Sequence, residues 1–299
     1  GPIMSQYGRL LLIINPPLRQ SQAMHRAGAL AKACGASLHI AALIPPWKLL
    51  SLLEEGDREE AREGFLQDHR DWLKYQVSQL RDSGIEVTSE VTWADDIQQD
   101  ILDRVADLQP DLLIKQVQRE SALRRAFFTP LDWRLLRHCP TPVYLLGEGH
   151  LALPRKVVAA VDVSNTLAPN SEINERIIQQ ASSFALQCEA ELHLLYACDI
   201  SSLYLGDMGG AGLALPDLGR QLLNAHEHSF LMLAERYGVP ADRRHFIEGH
   251  PVSVLDTFAD EQHMDVIVMG RVQSHGLDKL LGSTTEHILY QVPCSVLAV

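Results

Sequence analysis

Basic residues are scarce in this chain. Its 26 Lys and Arg stand against 38 Asp and Glu, a net charge of −12. A surface of that sign repels phosphate backbones and anionic bilayers, so neither nucleic acid nor membrane is an expected partner. The acidic residues are dispersed, with no acidic tail. Long apolar runs are missing too, and none approaches the roughly 20 residues that span a bilayer. No charged and apolar signal segment opens the chain, which makes the cytoplasm the expected location. Gly1-Pro2-Ile3, ahead of Met4, are set aside from the fold reasoning. Cysteines are few: Cys34, Cys139, Cys188, Cys198 and Cys294. None forms a CxxC pair, and an odd number makes no disulfide framework, so buried thiols are expected. No Ser-His-Asp or Cys-His pattern stands out, because triad partners meet only in the fold. His226-Glu227-His228 is the one tight histidine cluster. Helical residues two apart point to different faces, so it is a poor chelate and reads as solvated helix surface.

What is present is an ordinary globular composition. The 299 residues, 46% hydrophobic and 21% charged, leave room for two domains. Residues 9–15 read as a buried strand stopped by Pro16. Residues 22–33 read as a helix ended by Gly35, and 37–44 as a second strand broken at Pro45-Pro46. A long helix is expected over 57–84, with Phe65, Trp72, Leu73 and Leu80 on its apolar stripe. A strand over 86–92, a helix over 97–107 behind Asp95-Asp96 and a strand over 111–114 follow. A loop, a helix over 131–137 and a strand over 142–146 complete the set. Phe127, Phe128, Trp133 and Trp93 are expected to be core.

The order then begins again, with strands over 156–162, 191–197, 243–248 and 266–269 and helices over 172–188, 217–237 and 252–261. PTPVYLL at 140–146 matches PCSVLAV at 293–299, and PDLLIKQVQ at 110–118 matches MDVIVMGRVQ at 264–273. ASLHIAALIP likewise matches AELHLLYACD. The chain is a tandem repeat, with domains expected over 4–148 and 153–299 and a Gly- and Pro-rich joint between them. Alternating strand and helix specifies an α/β fold: two tandem doubly wound, Rossmann-like parallel sheets, with ligands at the carboxyl ends of the strands. The last strand of each half is apolar and sits at an edge. Pairing of the two would bury both and make the chain an internal pseudo-dimer, alone or in a further homodimer.

The closing stretch carries the chemistry. Val266-Ile267-Val268-Met269 is a buried strand, a loop with Gly270 and Gly276 follows, and Gly282-Ser283-Thr284-Thr285 opens a helical pattern through Ile288, Leu289 and Val292. Glycines let backbone approach an anion, and free N–H groups at a helix start favour negative charge. The arrangement can cradle phosphate. The glycine-rich run 206–212 reads as a flexible loop beside it.

This stretch resembles the universal stress protein family. Nucleotide-binding members carry Gly, two residues, Gly, nine residues, Gly, then Ser or Thr. Here Gly270 and Gly282-Ser283 fit, while Gln273 stands at the second glycine place and eight residues separate it from Gly282. The likeness covers essentially the whole chain. AFFTPLDWRLLRHCPTPVYLL in the first half resembles the tandem, E-type branch, which carries two such domains.

The resemblance implies an adenine nucleotide alpha hydrolase-like fold and a cytoplasmic binding and regulatory role in stress response. It implies ATP or ADP in the second domain, with Mg as an optional companion. Asp162 would stand beside the nucleotide. Ala160, Val161, Ala197 and Met269 would line the base side, and Gly270, Arg271, Gly276, Gly282, Ser283 and Thr284 the phosphate side. Catalysis and a resident metal are not expected. In the first domain Asn15, Gln116 and Thr129-Pro130 replace the acid and the glycines, and Pro130 lacks an N–H, so ATP is not expected there. Two rival readings are a slow ATPase using Asp162 and a divalent metal, and an interaction or storage protein with an apolar ligand in the first domain.

Overall fold

The computed structural model describes residues 7–15, 19–120, 125–149, 151–163, 170–200, 216–271 and 294–299. Packing divides the chain into two units. The first comprises Gly1–Gln118, Leu131–Leu146 and His150–Leu153, and the second Arg119–Pro130, Gly147–Gly149 and Pro154–Val299.

The first unit is built on β1 (Arg9–Ile14), α1 (Ser21–Cys34), β2 (Ser37–Ile44), α2 (Glu55–Asp82), β3 (Val87–Trp93), α3 (Ile97–Leu108) and β4 (Leu112–Gln116). After β5 (Gln118–Glu120) and β6 (Arg125–Phe127), which apart from Gln118 belong to the second unit, come α4 (Pro130–His138) and β7 (Val143–Leu146). β4 pairs with β7 and β1, β1 with β2 and β2 with β3, all in parallel. The sheet order is therefore β7-β4-β1-β2-β3. Leu11, Leu12, Ile40, Leu113 and Ile114 have no exposed surface, as expected of strands covered on both faces.

Local signals act where the sequence places them. Gly35 closes α1 in the left-handed region at φ 64°, its N–H donating to the Ala31 and Lys32 carbonyls. Asp96 caps α3, its carboxylate accepting from Gln99 N at 3.2 Å. Three details depart from expectation. The buried line of α2 is Leu66, His69, Leu73 and Val77, while Phe65, Trp72 and Leu80 flank it half-buried. A 3₁₀ turn, Lys48–Leu52, follows the Pro45-Pro46 break. The segment expected as a loop before α4 contains β5 and β6, a small sheet of their own.

The second unit repeats the plan with β8 (Lys156–Val161), α5 (Asn170–Cys188), β9 (Glu191–Cys198), α6 (Pro216–Arg236), β10 (Arg244–Glu248), α7 (Pro251–Glu261), β11 (Val266–Met269) and β12 (Ser295–Ala298). Its parallel pairings give the order β12-β11-β8-β9-β10, equivalent to that of the first unit. The repeat extends to side-chain devices. Asp111, just before β4, accepts from the N–H groups of Gly8 and Arg9 at 2.7 and 2.9 Å. Asp265, just before β11, accepts from those of Arg155 and Lys156, both at 2.9 Å. In each unit one carboxylate ties the fourth strand to the start of the first.

All five cysteines are free and buried. No described helix is long and apolar enough to cross a membrane.

Candidate functional site

Asp162 directly follows β8, the first strand of the second unit. Its N–H donates to Asn174 Oδ1 at 3.1 Å, and Asn174 Nδ2 donates to its carbonyl at 2.6 Å. Asn174 is buried on α5, so one amide holds both backbone polar groups of Asp162 and fixes where the strand stops. Asp162 itself is half-buried.

Register decides what surrounds it. Ala160 pairs with Leu195 and Val161 with Tyr196, so the next step sets Ala197 beside Asp162. Val268 pairs with Ala159, which sets Met269 beside Ala160. Side chains alternate along a strand, so Ala160, Asp162, Ala197 and Met269 share one face at the carboxyl end. Ala160 and Ala197 are half-exposed, whereas Ala159, Val161 and Cys198 on the other face are buried. On the first face Ala160 and Ala197 keep part of their surface, while Met269 beside them is buried.

Val161 and Gly270 fall on the opposite face, against α5. A Cβ at Gly270 would stand 3.1 Å from Ile173 Cγ1 and 3.2 Å from its Cδ1. This glycine therefore has a packing reason of its own. The strand ladder runs one step further, with Val299 N donating to Met269 O at 2.9 Å and Arg271 N to Val299 O at 3.2 Å. Gly276, Gly282, Ser283 and Thr284, with Gln273, lie outside the described residues, as does the glycine-rich run 206–212.

Burial pushes the Tyr196 hydroxyl and the Cys198 thiol up from their ordinary pKa values, so both stay protonated at neutral pH. Among the described residues no cluster of three His, Cys, Asp or Glu could hold a metal ion.

The corresponding strand end of the first unit is filled differently. Lys115, at the position of Met269 in the repeat, extends Nζ to within 2.7 Å of Asp132 Oδ1. Asp132 has no exposed surface and is the third residue of α4, where a carboxylate meets the positive helix end. Nearby, Asn15 Oδ1 and Gln116 Oε1 are buried without a hydrogen-bond partner. Phe128 and Trp133 are core, as expected, but Trp93 is half-buried and lines a cleft.

Sequence reasoning missed the histidines. His226 is buried, its Nδ1 2.6 Å from Leu222 O and its ring over Tyr196, so the solvated-surface reading fails for it and holds for exposed His228. His193 Nδ1 lies 2.9 Å from His245 Nε2, with the rings stacked. His39, the counterpart of His193, instead meets Glu90 at 2.7 Å and Thr88 at 2.6 Å. The His39 hydrogen bond, aided by Arg104, holds the Glu90 carboxyl below its ordinary pKa. A shared ASLH/AELH pattern marks one histidine in each unit, while its partner depends on strand register.

The Universal stress protein family pattern matches residues 6–146 and again 154–299. The chain belongs to the universal stress protein family. It is a tandem member of the E type: Universal stress protein E of Photorhabdus laumondii is 28% identical over 308 residues, covering 99% of this chain and 96% of that one. Universal stress protein E homolog of Haemophilus influenzae is 26% identical, covering 98% and 97%. A solved structure of a functionally unknown protein from Pseudomonas aeruginosa shares the fold of this universal stress protein, with a TM-score of 0.71 at 24% identity, covering 98% and 92% of the two chains.

Proposed function

We propose that this universal stress protein is a cytoplasmic stress-response regulator that binds ATP or ADP weakly in its second domain, residues 153–299, and does not turn it over appreciably. The reading is supported chiefly by half-exposed Ala160 and Ala197 beside half-buried Asp162, at the ends of strands that are otherwise buried. Small side chains there suit a flat base, and a carboxylate suits ribose hydroxyls. Arg271, Gly276, Gly282, Ser283 and Thr284 are assigned to the phosphates, with a Mg ion as an optional bridge. The first domain, residues 4–148, is assigned no nucleotide, because Lys115 and Asp132 already pair at the equivalent strand end.

Calorimetric titration of ATP and ADP, with a phosphate-release assay on the same sample, tests the reading. One weak site and negligible turnover are expected. Asp162→Asn should weaken binding, Gly282→Trp should abolish it, and Thr129→Trp should leave it unchanged. Two equivalent sites, or no saturable binding and no effect of nucleotide on melting, would overturn it.

A further inference from the structure

A cleft of about 190 Å³ opens in the first unit between the 3₁₀ turn after β2, the first turns of α2 and the end of β3. Trp47 and Trp93 line it, packed edge to face with centroids 5.8 Å apart and with Phe65 against both, and Leu50 adds an apolar side. Arg62 lies over the Trp93 ring, its Cζ 5.2 Å from the centroid. A guanidinium so placed keeps its N–H fork in its own plane, suited to a carboxylate. Among the described residues no acidic group lies within ion-pair distance of Arg62. Arg58, also in the lining, is tied down by donating to the Leu50 and Leu53 carbonyls at 3.1 and 3.0 Å. Two arginines against Asp95 leave the lining with a single net positive charge, in a chain of net charge −12. The Trp93 Nε1–H is shut off from solvent without an acceptor.

We infer that this cleft binds a small planar aromatic carboxylate, its ring against the Trp47 and Leu50 sides and its carboxylate on Arg62. Size sets the class. A cavity of about 150 Å³ admits benzene, whereas drug-sized ligands occupy upwards of about 300 Å³, so one or two fused rings fit and a nucleotide does not. Aromatic walls favour a flat ring over a flexible chain, since offset and edge-on ring pairs add to burial. The carboxylate supplies the counter-ion that Arg62 lacks. The site is separate from the proposed nucleotide site, so either stands without the other.

Calorimetric titration of the full chain with 2-naphthoate, and with the neutral 2-naphthalenemethanol, tests the inference. Saturable binding of the acid at one site is expected, at least tenfold tighter than the alcohol. Arg62→Gln and Trp47→Ala should each weaken it about tenfold or more. Both residues are solvent-accessible, so both variants should fold. Asp95→Asn should strengthen binding several-fold by removing a repulsive charge, a gain that structural damage cannot mimic. No saturable binding at millimolar acid, equal affinity for acid and alcohol, or indifference to Arg62→Gln and Asp95→Asn would each overturn the assignment.

Discussion

Lys115 Nζ and Asp132 Oδ1 form an ion pair 2.7 Å long whose carboxylate has no contact with solvent. Removing one partner of a buried pair leaves a charge without compensation, at a cost of about 3–5 kcal/mol. Asp132→Ala should approach that range in urea unfolding. Lys115→Met with Asp132→Leu should cost less than Asp132→Ala alone, because no charge is stranded. A double variant as damaged as the sum of the singles would show that the two do not act as a pair.

Gly270 is crowded by Ile173. Gly270→Ala should lower stability by about 1–3 kcal/mol, the usual range for overpacking. Ile173→Ala removes the atoms that the new Cβ would meet. Thermal unfolding should therefore show Gly270→Ala to be milder in the Ile173→Ala background than in the wild type. Equal effects in both would leave steric crowding without a role.

The paired histidines of the second unit predict an acid limb. Burial lowers the pKa of both His193 and His245 from 6.5, and for His245 the neighbouring His193 lowers it further. Arg243 and Lys156 face His193 and also oppose its protonation, while Glu191 at 3.3 Å favours it. Asp242 favours protonation of His245, whose ring packs on Phe258 of α7. The folded state prefers both rings neutral, so the unfolded state binds more protons as pH falls below 6.5. Stability present above that pH is then lost on acidification towards the lowered folded values. Melting temperatures of wild type and His245→Asn from pH 7.5 to 5 check this: the wild type should fall more steeply. Parallel curves would remove the pair from the account.

The loop after β11 governs nucleotide affinity in the proposed reading. Each backbone N–H that misses its phosphate oxygen forfeits roughly 1.5–3 kcal/mol, or about ten- to a hundredfold in affinity. Gln273→Gly with one residue inserted after Ser274 should tighten ATP binding, and more than either change alone. If the repaired loop binds no better, or the wild type is already tight, family spacing does not control the site.

Much of this architecture is local and was legible in the residues. Buried β-branched runs, helix stripes, Gly35 and Asp96 are set by neighbours a few positions away, so element order and the tandem plan follow from the chain alone. The α2 stripe shifted because Phe65 and Trp72 can half-bury on a flank while Leu66 and Val77 take the core line.

Side-chain partnership is not local. His39 and His193 occupy the same place in a repeated pattern, yet one meets Glu90 and the other His245, because the adjacent third strand presents a different residue at each register. Nothing local marks Asp132 until the fold places Lys115 against it. Gly270 reads as a phosphate glycine from its motif, while its packing constraint comes from a helix nearly a hundred residues earlier in the chain. The sequence by itself determined the elements, their order and their repetition, since these depend on backbone preference and hydrophobic period. Only the tertiary structure decided which polar and aromatic groups face one another, since that depends on strand register and on which helix covers each sheet face.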